Sequence, residues 1–180
     1  MKIHKKNFYF VRHGESECNV NPHIGDEVDV ALTLKGMKQA QSIQSIIETL
    51  PIQTICVSPL RRALDTKEII AKNISCPVVV IEELEECTSE IWFKMTQMEN
   101  GIISCEQVQS FMQRAVSGIN KALSYPGPVL IVAHGGVHYA MCHHMEIEEY
   151  DKKIHHCTPA HFSLSEMDTW KAKHLAIPTD

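Results

Sequence analysis

The 180-residue chain is short of several things, and each shortage narrows what it is. It has no apolar run near the roughly twenty residues that a membrane-spanning helix needs. Positive charge is in deficit too, with 17 lysines and arginines against 22 aspartates and glutamates, a formal net charge of −5. Nucleic acids and anionic membranes select basic surfaces, so neither is expected as a partner. There is no Cys-x-x-Cys pair, and the seven cysteines are scattered and odd in number. That suits reduced thiols better than a disulfide framework. A basic start, Met1 to Lys6, precedes a brief apolar stretch, Phe8 to Val11. The stretch is too short for a signal-peptide core and charged Arg12 interrupts it, so a cytoplasmic location is the default expectation. Repeats, linkers and low-complexity segments are lacking as well. The length suits one domain over residues 1–180, with a real core.

What the chain does have is an alternation of short strands and amphipathic helices. Phe8 to Val11 reads as a buried strand that stops abruptly at Arg12-His13, with Gly14 allowing a sharp turn. After a polar loop, Thr33 is a candidate N-cap, and Ala40, Ile43, Ile46, Ile47 and Leu50 recur at helical spacing. Gln53 to Val57 is a second buried strand, and Ser58-Pro59 reads as a helix start running through Arg61-Arg62-Ala63. Pro77 to Ile81 is a third strand. Glu82 to Ser104 has no clear period, and a stretch of that length usually serves as a functional loop or lid. Ser104-x-x-Gln107 has the form of a capping box before a long helix whose core stripe runs from Val108 to Leu123. Pro128 to Ala133 is a fourth buried strand, followed by His134-Gly135-Gly136 and a helix to about Met145. A hairpin, Ala160–Ser165 and Trp170–His174, closes the chain.

This alternation implies right-handed crossovers and a mostly parallel sheet, an α/β three-layer sandwich with a C-terminal β-hairpin. Parallel strands end along one rim, and open α/β sheets bind ligands there. The four exits lead into Arg12-His13, Ser58 with Arg61-Arg62, Glu85-Glu86, and His134-Gly135. Arginines and histidines gathered on one rim suit a dianion. Phosphoryl is the expected target, because guanidinium groups grip its oxygens in bidentate fashion and stay charged. Helix starts after Ser58 and His134 would add backbone donors. A histidine there can act as a nucleophile once a backbone carbonyl fixes its tautomer.

Four ordered stretches now point to a family. Val11-Arg12-His13-Gly14-Glu15 with Asn19 resembles the signature of the histidine phosphatase superfamily, the phosphoglycerate-mutase-like proteins. Leu32-Thr33-x-x-Gly36-x-x-Gln39-Ala40 is similar to its first-helix motif, and Ser58-Pro59-Leu60-Arg61-Arg62-Ala63-x-x-Thr66 to its second-arginine motif, selecting Arg62 over Arg61. Ala133-His134-Gly135-Gly136-Val137 resembles its second-histidine motif, and the final hairpin is family-like too.

The resemblance implies that His13 takes the phosphoryl group as a phosphohistidine that water later releases. It implies that Arg12, Arg62 and His134 grip the phosphoryl oxygens, with Asn19 and the Gly135 amide contributing less. An acidic residue after the third strand would protonate the leaving oxygen. Leu84-Glu85-Glu86 fits the family's Leu-x-Glu and favours Glu86, with Glu83 as the rival. The family's following Gly-x-Trp-Glu-Gly pattern keeps only Trp92 here, so the rim near the acid is reshaped. Crowding by other carboxylates is expected around Glu86.

The expected activity is metal-independent hydrolysis of a small phosphorylated metabolite, with no cofactor. A phosphohistidine-protein phosphatase, a phosphoglycerate-type mutase and a non-catalytic phospho-ligand binder are the alternatives. Two His/Cys clusters, Cys142-His143-His144 and His155-His156-Cys157, hold zinc- or copper-type ligands but match no standard structural site.

Overall fold

The computed structural model describes residues 1–21, 23–25, 28–97, 105–147 and 150–176. Six strands form one sheet: β1 (Phe8–Arg12), β2 (Thr54–Val57), β3 (Val78–Val80), β4 (Val129–Ala133), β5 (Pro159–Leu164) and β6 (Trp170–His174). Their order is β3-β2-β4-β1-β5-β6. The four strands from β3 to β1 run parallel, and β5 and β6 join antiparallel beside β1. The helices are α1 (Glu17–Val20), α2 (Leu34–Glu48), α3 (Arg61–Ile70), α4 (Ser89–Thr96), α5 (Glu106–Leu123) and α6 (Gly135–Met145). A turn of 3₁₀ helix, Glu82–Leu84, precedes α4.

Side-chain alternation along the strands splits the core into two layers. Phe8 and Phe10 of β1, with Val129, Ile131 and Ala133 of β4, face one apolar layer made with α5 and α6. Tyr9 and Val11, with Leu130 and Val132, face the other, made with α2 and α3. The expected sandwich is the observed one, and β1 and β4 lie adjacent at its centre. Arg12 pairs with Ala133 in register, so the two strands deliver Arg12-His13 and His134 to the same point of the rim. Among the described residues no helix is long and apolar enough to cross a membrane.

Local details differ from the sequence reading in three places. Ser58 does not cap α3, whose N-cap position is Leu60. Asp29 does the work instead, its carboxylate accepting from the Arg61 amide at 2.8 and 3.1 Å. An acidic group at a helix start is favoured by the backbone dipole whichever loop supplies it. The aperiodic stretch after the third strand also contains a real helix, α4, capped by Thr88, whose hydroxyl accepts from the Ile91 amide at 3.3 Å. Helix α1, too short to show a period, was not anticipated. The proposed Ser104 capping box lies outside the described residues; α5 itself starts at Glu106 after Cys105.

Candidate active site

The loop after β1 is held rigidly, and the residues that hold it explain two of the sequence motifs. The His13 amide donates to the Ala133 carbonyl at 3.0 Å. The Gly14 amide donates to Thr66 Oγ1 at 3.0 Å, and that hydroxyl donates to the Arg62 carbonyl at 2.7 Å. One threonine thus ties the signature loop to the helix that carries the second arginine. On the other side the start of α2 clamps Glu15. Thr33 donates from its amide to the Glu15 carbonyl at 3.0 Å and from its hydroxyl to Oε1 at 2.8 Å. Gln39 Oε1 accepts from the Glu15 amide at 2.9 Å. The close approach needs two glycines. A Cβ on Gly14 would lie 2.5 Å from the Gly36 carbonyl oxygen, and one on Gly36 would collide with the Glu15 backbone.

His13 is buried, and its Nδ1 lies 2.7 Å from the Gly14 carbonyl oxygen. A carbonyl only accepts, so Nδ1 carries the proton and Nε2 keeps its lone pair. Burial, and then His134, Arg12 and Arg62, push the His13 pKa well below 6.5. The ring is neutral, as a nucleophile must be. His134 is fully buried with its ring centroid 5.0 Å from that of His13. Its Nε2 lies 2.7 Å from Ser58 Oγ, which is what occupies the serine freed from capping. Burial and the two arginines also push His134 well below the usual imidazole value.

Among the described residues, four buried side-chain nitrogens around His13 have no hydrogen-bond partner: Arg12 Nε, Arg62 Nε, His134 Nδ1 and His156 Nε2. Arg12 is anchored through Nη1, which donates to the Ile154 carbonyl at 2.8 Å. A buried polar group left unpaired costs about 1–3 kcal/mol. Several such groups around one imidazole are matched by an oxyanion, whose oxygens supply the missing acceptors.

Glu86 stands across from the arginines. Its carboxylate accepts from the Gly136 amide at 3.1 and 3.0 Å and from the Cys87 amide at 3.0 Å. This places it over the start of α6. A Cβ on Gly136 would overlap Glu86 Oε1, which accounts for the second glycine of His134-Gly135-Gly136. Glu83 points elsewhere. It pairs with Lys121 at 3.0 Å, and its own amide together with that lysine holds its carboxyl below the usual value. The expected crowd of carboxylates around Glu86 is therefore absent on the Glu83 side; backbone amides surround it instead.

A cleft of about 410 Å³ opens between these groups. Arg12, His13, Asn19, Arg62, Glu86 and Gly135 line its inner end, and Ile24, Val28, Thr88 and Trp92 line its outer part. Asn19 is partly spent on structure, its Oδ1 accepting from the Ser16 amide at 2.9 Å and hydroxyl at 2.7 Å. Trp92 both lines the cleft and packs on the core, edge-on to Tyr139 at 5.9 Å.

Some participants had no role in the sequence reading. Thr66 was visible only as a motif letter. His156 stood out only as half of a doublet, yet its ring lies 5.5 Å from that of His13 and burial pushes its pKa to about 3. Its position follows from the pairing of β5 beside β1, which sequence spacing does not reveal. Among the described residues, no group of three or more His, Cys, Asp or Glu side chains is arranged to hold a metal ion.

Comparison with known proteins agrees with this geometry. The family model of the histidine phosphatase superfamily (branch 1) matches residues 8–101. A Proteus mirabilis protein named "Probable phosphoglycerate mutase" is 31% identical over 147 residues, 71% of this chain and 68% of its own length. An uncharacterized phosphatase of Bacillus subtilis is 27% identical over 180 residues, 93% of this chain and 92% of its own. Among solved structures, a mycobacterial glucosyl-3-phosphoglycerate phosphatase in complex with VO3 superposes with a TM-score of 0.71 at 18% identity, covering 94% of this chain and 98% of that one. The chain belongs to the histidine phosphatase superfamily, a family of phosphatases and mutases that act on phosphate.

Proposed function

We propose that the protein is a phosphomonoester hydrolase working through a phosphohistidine on His13, with a small phosphorylated molecule as substrate. The observation that carries this reading is the Nδ1–Gly14 carbonyl contact, which leaves a neutral His13 with its Nε2 lone pair free near Arg12 and the buried Arg62. Nε2 attacks phosphorus in line while Arg12, Arg62 and His134 hold the phosphoryl oxygens. Asn19 and the Gly135 amide border the same oxygens. The bond from phosphorus to the ester oxygen breaks as Glu86 gives that oxygen a proton. Glu86, now a carboxylate, takes a proton from water, which attacks the phosphohistidine and releases orthophosphate. The arginines offset the phosphoryl charge throughout.

Hydrolysis is favoured over the mutase reading by the count of cations. A mutase must hold a second phosphate, but Arg12 and Arg62 are the only lysine or arginine side chains among the described residues lining the cleft. The residues outside the described set include no lysine, arginine or histidine, so none of them supplies the missing charge.

The test is His13→Ala assayed with para-nitrophenyl phosphate. Loss of at least about 10³-fold in kcat, with an unchanged unfolding midpoint, is expected for removal of a nucleophile. A variant retaining a tenth or more of the wild-type rate would rule the covalent route out.

A further inference from the structure

The inner end of the cleft carries all of its positive charge, and the outer part carries none. Ile24, Val28, Thr88 and Trp92 are neutral, and every lysine, arginine and histidine of the chain lies among the described residues. Helix α4 begins at this outer part, and its start carries a side-chain cap and an acidic residue in place of any cation. Thr88 Oγ1 accepts from the Ile91 amide, and Glu90 occupies its first turn. Glu86, the other ionisable side chain on this wall, supplies no cation. A carboxylate or second phosphate placed there would find no lysine, arginine or histidine side chain lining that part of the cleft to meet it.

What the outer part does offer is a fixed apolar surface. Trp92 is braced edge-on by Tyr139 at an interplanar angle of 77°, so its ring orientation is set before anything binds. Val28 and Ile24 complete the apolar wall. The volume of about 410 Å³ falls within the range of small-molecule sites, room for a phosphoryl group and one or two rings.

We infer that the substrate is a phosphomonoester whose organic part is neutral and apolar or aromatic, packed on Trp92, and that esters bearing a second anionic group are turned away. This rests on the phosphatase reading above. Trp92 is then the residue that sets specificity.

The experiment compares kcat/KM of the purified full chain for 2-phenylethyl phosphate and 3-phosphoglycerate. Both are esters of primary alcohols, so leaving-group chemistry is similar and the ratio reads the cleft. A preference of about 100-fold or more for 2-phenylethyl phosphate is expected, from burial of its ring on Trp92 and the lack of a cation for the second anion of 3-phosphoglycerate. Trp92→Ala should lower the ratio of 2-phenylethyl to methyl phosphate turnover by about 10-fold, with most of it retained in Trp92→Phe. Val28→Lys should raise kcat/KM on 3-phosphoglycerate by about 10-fold by supplying the absent cation. If 3-phosphoglycerate is hydrolysed as well as 2-phenylethyl phosphate, the specificity inference fails while the phosphatase reading stands. An unchanged ratio in Trp92→Ala removes Trp92 from the role even if the preference is real. If no ester is turned over, the phosphatase reading fails and takes the inference with it.

Discussion

The two ends of the cleft are built by different means. The inner end sits on strand exits at the centre of the sheet, where Arg12 and Ala133 are in register and their neighbours are buried. Its side chains are held by backbone: His13 by Gly14, Arg12 by Ile154, Glu86 by the Gly136 amide. The outer part sits on a loop before α2 and on the short helix α4, and Val28 is about half exposed. A phosphoryl group is the same in every substrate, so a rigid site serves it. The organic part varies among substrates, and the region that meets it rests on short elements that change at low cost to the core.

Glu86 stands between the two ends, so its replacement divides their contributions. Glu86→Gln is expected to slow hydrolysis of alkyl phosphates by about 10²-fold or more, the range for a lost general acid. A nitrophenolate leaves readily without a proton, so para-nitrophenyl phosphate should suffer much less. Equal losses on both esters would remove Glu86 from the acid role.

Acid acts on the inner end and on the core behind it. His13, His134 and His156 all have depressed pKa values, as does His138 behind them at about 4. Below pH 6.5 the unfolded chain takes up protons at these rings that the folded chain refuses. Stability is therefore untouched above pH 6.5 and falls progressively as pH drops towards 4. The contribution of His138 alone is on the order of 3 kcal/mol. Urea midpoints at pH 7 and pH 5 test the sign, and equal midpoints would contradict the buried neutral imidazoles.

The scaffolds of the two ends should differ in tolerance. Gly36→Ala forces a methyl into the Glu15 backbone, and such overpacking costs about 1–3 kcal/mol, with loss of activity because the loop after His13 shifts. Thr88→Ala removes only the cap of α4, worth about 1 kcal/mol, and should alter KM more than kcat. Denaturation and kinetics on the pair check both statements. The reverse ranking would mean that the rim, not the sheet, is the rigid part.

The same contrast governs what the sequence made legible. The sheet, the long helix α5 and the strand-end residues could be read because periodicity and strand exits are local signals. His13, Arg12, Arg62, His134 and Glu86 all fall around the cleft as expected from those exits. The Leu84-Glu85-Glu86 match favoured Glu86 and kept Glu83, three residues away, as its rival. The fold separates the two by their contacts, Glu86 meeting the Gly136 amide beside the cleft and Glu83 meeting Lys121. Likewise Ser58 looked like a cap because Ser-Pro starts many helices, but His134 competes for its hydroxyl and Asp29 replaces it at the helix start. His156 reaches the site only through antiparallel pairing of β5 with β1, a contact between distant segments.

The central claim is that His13 Nε2 carries the phosphoryl group during turnover. Wild-type protein mixed with a phosphomonoester, quenched in alkali within the first turnovers and digested, can be read by mass spectrometry. The account predicts an acid-labile, alkali-stable phosphoryl group on the peptide containing His13, absent from His13→Ala. An active enzyme that never shows phosphate on His13 under rapid quench, or that shows it on another residue, would contradict it.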